Sequence, residues 1–419
     1  MRKSVLTKKI DNSIYFKVFV ALLWAKGILP EYIRGAMLKI PGFSLVADYL
    51  IPLIMIIGFF LSYKTITDRI RGSDLVFITV CLFVYGLEFW LFSRNRPYFQ
   101  ILYPNFIIGC LPFYFVGVAL RGDDKELVRW MYRISCASII AFAFYMLFVN
   151  QMGDVALRGG DMSSAYNLLP HACLSFYFLM SNFKLRRLLL FLVAAICLVL
   201  MGTRGAVLCL LVFMVVTIIA TIRTQKPLVI LAMIMLCLFL LLFGSLTDLL
   251  IQWAYIIADK FGLSTRIFDK MLSGNITAST GRIAIRQRIF YYLREYNLVG
   301  LGIYGDLYIS EGMYAHNLAL ELWAHFGYYI GSIIFIAFLV FICSGVVYCI
   351  KIKDENAQII MFLLLCCCVK LLMSSSYLRE PFLWVMLGYV AALLREKRAA
   401  ATEAQRQGMQ KSKYIKYTT

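Results

Sequence analysis

The chain has 419 residues, 62% of them hydrophobic and only 16% charged, with a mean hydropathy of +0.78; soluble domains carry about 25% charge and about 45–50% apolar residues. That composition excludes a soluble enzyme, and because apolar stretches recur from about residue 13 to about residue 394 it excludes a single-span anchor too. The formal net charge of +19 would suggest a nucleic-acid partner in a soluble protein, but in a membrane protein it first asks on which side of the bilayer the basic residues lie.

A helix needs roughly 20 apolar residues to cross a core about 30 Å thick. On that ruler the sequence predicts an all-α polytopic integral membrane protein of about twelve transmembrane helices, at 13–29, 45–63, 75–93, 102–120, 130–150, 165–183, 186–201, 206–223, 226–247, 326–350, 356–375 and 380–395. The domains are an N-terminal membrane domain over 1–246 (spans one to nine), an extracytoplasmic loop with surface helices over 247–325, C-terminal membrane helices over 326–397, and a cytoplasmic tail over 398–419. The polar composition after Ala399 predicts disorder there. No small-residue cleavage site follows the first apolar stretch, which therefore reads as a retained helix rather than a signal peptide.

Alternate connections differ in basic content. One set holds the N-terminus, Lys64, Arg69, Arg71, Arg121, Lys125, Arg129, Lys184, Arg186, Arg187, Arg223, Lys226, Lys351, Lys353 and the tail from Arg395, about 24 basic residues against about seven in the short loops of the other set. The positive-inside rule then places both termini in the cytoplasm and the long loop outside. The twelve cysteines all fall within expected spans, without metal-ligand spacing to histidine, and read as small apolar packing residues.

Between about residues 188 and 220 the apolar run breaks only at Gly202-Thr203-Arg204-Gly205, a tight hairpin tip that the glycines permit. About 15 residues lead up to it from Arg187, or roughly 22 Å of helix, so Arg204 is expected to sit recessed in the outer leaflet. A charge at that depth either serves a function with an anionic partner or snorkels to the outer headgroups. In the long loop, Leu249, Leu250, Trp253, Ile256, Ile257 and Phe261 recur at helical spacing and predict a helix on the membrane surface.

Next, Ser279-Thr280-Gly281-Arg282 followed by Ile283-Ala284-Ile285-Arg286 reads as a capped helix start running to about Glu295. An arginine in the first turn is misplaced against the helix dipole. A bound anion would reverse that sign, with Arg282 and Arg286 four apart on one face and the backbone N–H groups converging on it; the alternative is a basic face near anionic headgroups. After the turn residues Asn297, Gly300, Gly302 and Gly305 comes Tyr314-Ala315-His316-Asn317. His316, one of three histidines, is suited to taking a proton near neutral pH, although a lone histidine is as readily structural; His171 and His325 read as structural. Arg158, Asn317 and Arg379 are candidates for a polar substrate groove, and for the two arginines an ordinary loop charge is the equal alternative.

The hairpin Gly202-Thr203-Arg204-Gly205-Ala206, the Thr280-Gly281-Arg282 helix start, the Asn297 to Gly302 turn and Ala315-His316-Asn317 with Gly327 and Gly331 resemble the signature of the O-antigen ligase and Wzy-type polymerase superfamily, over roughly 188–345. The resemblance implies a metal-independent, inverting glycosyltransferase on the outer face of the bacterial inner membrane, with no cofactor and with a glycan donor on undecaprenyl diphosphate. It implies that Arg204 and Arg282 bind the diphosphate, to which the shared helix face adds Arg286, and that His316 is the base acting on the acceptor hydroxyl. Partners would be the lipid-linked glycan, membrane lipid, and a chain-length regulator or a lipid A core acceptor, with no nucleic acid.

Residues 28–48 and 162–170 look more like the polymerase branch, which joins lipid-linked repeats into O-antigen or another surface polysaccharide, than like the ligase branch, which transfers the finished chain to lipid A core. A flippase for the same lipid-linked sugars is the rival from another class. Transporters favour polar or broken helices near the midplane; Asp48, Glu88 and Lys370 could serve such a path, but they look scattered.

Overall fold

The computed structural model describes residues 12–25, 53–54, 56–120, 125–144, 146, 162–201, 204–221, a few residues between 252 and 260, 282–352, 354–372 and 374–418. All regular structure among them is helical. Five helices among them are long and apolar enough to cross a bilayer, Gly72–Leu91, Ser93–Ala119, Lys125–Phe144, Tyr328–Ile352 and Glu355–Leu372, as expected of a polytopic helical membrane protein. The ninth expected span, the 28–48 segment with Asp48, Arg158, and most of the expected surface helix lie outside the described residues; Trp253, Ile256 and Ile257 are helical and exposed.

In chain order the principal helices are α1 (Asn12–Ala25), α2 (Gly72–Leu91), α3 (Arg96–Tyr103), α4 (Leu111–Ala119), α5 (Lys125–Phe144), α6 (Met162–Ser181) and α7 (Leu185–Leu200). There follow α8 (Arg204–Thr221), α9 (Arg282–Glu295), α10 (Gly305–Ile309), α11 (Leu318–Phe326), α12 (Tyr328–Ile352), α13 (Glu355–Val369) and α14 (Pro381–Thr418).

Two expectations are corrected. The span expected at 102–120 starts earlier and is broken: α3 and α4 are joined by a π-helical turn at Pro104–Ile108, because Pro104 lacks the N–H that a continuous helix requires. The tail is not disordered after Ala399, since α14, 38 residues long, runs on to Thr418. Its alanine, glutamate, glutamine, arginine and lysine residues favour helix, and no proline interrupts them.

The bundle is built on α14 lying along α4. A Cβ added at Gly117 would collide with the Val385 carbonyl oxygen, and one added at Gly388 with that of Tyr114, so the two backbones touch as small residues allow between membrane helices. A buried polar lock closes one end: Asp74 Oδ1 accepts the Tyr114 O–H at 2.9 Å, and Oδ2 accepts the Arg71 N–H at 2.9 Å and pairs with Arg395 at 2.5 Å. Farther in, the Trp24 indole N–H donates to Ser135 Oγ at 3.0 Å. Ser135 Oγ shares a further hydrogen bond with His171 Nδ1 at 2.8 Å, the structural role expected of His171. The described cysteines are all free thiols.

The opposite end gathers the irregular segments. Asn95 Nδ2 donates to the carbonyls of Leu301 and Ile303 at 2.8 and 2.9 Å, Glu88 Oε2 accepts the Ile303 N–H at 3.0 Å, and Asn317 Nδ2 donates to the Leu372 carbonyl at 2.8 Å. Lys370 Nζ pairs with Glu380 Oε2 at 2.8 Å. Glu88 and Lys370, which a transport path would have used, tie segments together here. The helix contact gives a stability prediction. Gly388→Ala should cost roughly 1–3 kcal/mol through overpacking and lower the thermal midpoint in detergent. Gly86→Ala, where an added Cβ meets nothing within 4 Å, should not; equal midpoints for the two variants would contradict the contact.

Candidate active site

Helix α9 occupies the range that its sequence motif predicts. Ile285, Ile289 and Leu293 recur every four residues, are buried, and form a small separate core with Ile309, Ala315, Leu320 and Ala324. Arg282 stands one turn before Ile285 and shares its face, so the same packing that docks α9 on Ala315 delivers Arg282 to the neighbouring His316. The Arg282 charge acts on the His316 imidazole and on Tyr166 of α6. Arg286 follows Ile285, lies off the buried stripe and is exposed; of the two arginines that share the helix, packing selects the first.

The segment that carries His316 is strained. The non-glycine residues with positive φ among those described are Asn297, Leu298, Tyr304, Glu311 and His316, the last at φ +55°. Such backbone costs of order 1–3 kcal/mol per residue and persists where the surroundings dictate it, often at functional sites. Here 298–302 is pinned to the end of α11: the Leu301 N–H donates to Ala324 O at 2.8 Å, the Gly302 N–H to His325 O at 2.9 Å and the Tyr328 N–H to Leu298 O at 2.9 Å. Gly302 and Gly327 turn at φ +82°, where a side chain would be strained and would strike neighbouring atoms.

His316 is uncharged at neutral pH. Burial, then the Arg282 charge, push its pKa down to about 4, with Asp306 opposing them. Its Nδ1 is buried and has no hydrogen-bond partner among the described residues. The ring lies 3.9 Å from that of Tyr314, centroid to centroid, and Arg379 stands 6.0 Å from the other aromatic centroid of the set, that of Tyr314. Beside them is a cavity of about 190 Å³ whose lining includes Tyr98, Tyr304, Asp306, Tyr314, Glu321 and Arg379.

Arg204 is the first residue of α8. Cys209, just over a turn into that helix, receives the Cys366 thiol on its carbonyl at 3.7 Å, which sets the start of α8 level with the end of α13, where Lys370 lies 5.1 Å from the Tyr166 ring. The site thus gathers Arg282, His316 and Arg379, all singled out from sequence, with the start of α8 close by. Asn317 has a local task, since its side-chain oxygen accepts the Leu320 N–H at 3.2 Å and caps α11.

Sequence reasoning missed Tyr166 and the Lys370–Glu380 pair, and it missed the buried group of Asp306, Glu321, His325 and Tyr377. Burial and the Asp306 charge hold the Glu321 carboxyl well above the usual carboxylate range. Asp306, Glu321 and His325 bring ligand-type atoms within 4.8 Å of one another, but each is hydrogen-bonded within the protein, and the group reads as a network rather than a metal centre.

Fold and site together define a class: a polytopic helical membrane protein with a cationic, histidine-bearing site gathered at one end of its bundle. Residues 189–336 match the family model described as O-antigen ligase, and this supports the O-antigen ligase and polymerase superfamily already suggested by the motifs, which that stretch contains. No curated protein and no solved structure matches the chain. The geometry makes one electrostatic prediction. In a histidine NMR titration His316 should titrate near pH 4, and Arg282→Gln, by removing a positive charge that disfavours the imidazolium, should raise that midpoint toward 6.5; an unmoved midpoint would separate the two residues.

Proposed function

We propose that the chain is a glycosyltransferase that joins oligosaccharide repeats carried on undecaprenyl diphosphate into a surface polysaccharide, on the outer face of a bacterial inner membrane. The observation that carries this reading is that α9 packs on Ala315, so that the charge of Arg282 acts on the uncharged His316. The diphosphate of the donor sits against Arg282 and the N-terminus of α9, with Arg204 at the start of α8 as the second cation; Arg286 contributes at the exposed edge. The acceptor sugar enters beside His316, where the cavity offers tyrosines and Arg379.

In the reaction His316 takes the proton of the acceptor hydroxyl. The acceptor oxygen forms its bond to the anomeric carbon as the bond from that carbon to the diphosphate oxygen breaks, and the electron pair leaves with the diphosphate, with inversion at the carbon. Cations at the leaving group stabilise the charge that develops there.

A base with a pKa near 4 is weak at neutral pH, and donor binding supplies the remedy. Diphosphate charge against Arg282 cancels the cation's effect on the imidazole and strengthens the base. The family description favours the ligase as a second reading, in which the acceptor is lipid A core.

Purified protein in bilayers with short lipid-linked repeats tests both. Chain growth without core lipid supports the polymerase, product only with core lipid supports the ligase, and no transfer under either condition contradicts the proposal. His316→Ala should lower kcat by about 10²- to 10⁴-fold, and Arg282→Ala should weaken use of the donor. The acid limb of kcat should lie at higher pH than that of kcat/KM, because the first reports the donor-bound enzyme and the second the free one.

A further inference from the structure

Behind His316 the chain buries a row of polar groups. Asp306 and His325 are each about 1% exposed. His325 Nε2 lies 2.9 Å from Asp306 Oδ1 and accepts the Tyr304 backbone N–H at 3.2 Å, and His325 Nδ1 shares a hydrogen bond of 2.9 Å with the Tyr377 hydroxyl. Asp306 Oδ2 accepts the Ala315 N–H at 2.8 Å, one residue before His316. The row ends where the Tyr377 N–H reaches Glu321 Oε2 at 3.4 Å and the other Glu321 oxygen meets Ser376 Oγ.

Burial and the Asp306 charge raise the pKa of the Glu321 carboxyl, and the Asp306 charge acts on His316 in the sense opposite to Arg282. A buried carboxylate is costly, and the Ala315 N–H and the His325 ring offset that cost only in part; an apolar pair of similar volume would serve packing as well or better. A negative charge kept here therefore asks for a task. His316 sits in a left-handed conformation that its surroundings must enforce, and the bond from Ala315 to Asp306 fixes the peptide leading into it. The charged groups that act on the His316 ring are Arg282 from α9 and Asp306 from α10, with opposite sign. The Tyr314 ring faces it from its own segment, with Arg379 of the 374–380 turn over that tyrosine.

We propose that Asp306, oriented by His325 and Tyr377, is a positioning residue for His316: it holds the strained turn that presents the imidazole and stabilises the imidazolium formed when that ring takes the acceptor proton. This rests on the reading of His316 as the base. Groups that orient a functional histidine typically cost about 10- to 100-fold when removed.

The test compares Asp306→Asn, Tyr377→Phe and His316→Ala in the bilayer transfer assay, with a histidine NMR titration of His316. Asp306→Asn should lower kcat at least about tenfold with the donor KM unchanged, and should move the His316 midpoint lower, since a negative charge that favours the imidazolium is gone. Tyr377→Phe should lower kcat less, again at constant donor KM, and Asp306→Glu should restore part of the loss. If Asp306→Asn keeps native kcat and the native His316 midpoint while His316→Ala is inactive, the inference is overturned and the site stands. If His316→Ala is fully active, the reading beneath it fails first. Should Asp306→Asn not fold, Tyr377→Phe decides: native kcat overturns the proposal, and a lowered kcat at unchanged KM supports it.

Discussion

The action of the Arg282 charge on the imidazole of His316 is the interaction on which the rest of this site depends. Neither residue reaches the other by sequence proximity, with 34 positions between their numbers. They meet because the stripe Ile285, Ile289 and Leu293 needs an apolar partner and finds it in Ala315, Leu320 and Ala324. A hydrophobic requirement thus places two polar groups whose electrostatics oppose each other, since a cation beside a base weakens it. In the proposed function the diphosphate of a lipid-linked donor, set against Arg282, relieves that opposition.

The membrane helices provide the frame. Tight backbone contact between α4 and α14 at Gly117 and Gly388, with the Asp74–Arg395 lock at one end, leaves the other end to irregular structure. There Asn95 and Glu88 hold the 301–303 backbone, and the run of left-handed residues ending at His316 is fixed from both sides. Strain is localised in one segment, and buried polar groups are concentrated behind it. In the proposed account the bundle is rigid so that one short segment can hold a shape it would not adopt alone.

How much of this was legible in the sequence depends on the range of the interaction. Helices that obey local rules were readable: α9 begins and ends where its cap motif and periodicity predict, and most described spans lie within a few residues of their apolar runs. Arg282, His316 and Arg379 were readable as unusual charges on the expected outer side. The break at Pro104 was less so, because a proline can either kink a span or end it. Helicity in the tail is hidden in the sequence because residues 399–418 are polar enough to resemble a disordered segment while most of them favour helix. Asp306, His325 and Tyr377 could not be assembled from sequence: their partners lie 9 to 52 positions away, and none sits in a motif. The one available signal was Asp306, an acidic residue in the same loop as the arginine helix.

The central claim, that Arg282 and His316 share one anion site, is tested most directly by following the His316 resonances of the full-length protein through a pH titration with and without inorganic pyrophosphate. The account predicts a midpoint near pH 4 in the free protein that rises toward neutrality when pyrophosphate binds, and a rise that disappears in Arg282→Gln. A His316 midpoint indifferent to pyrophosphate at concentrations that saturate binding would contradict it.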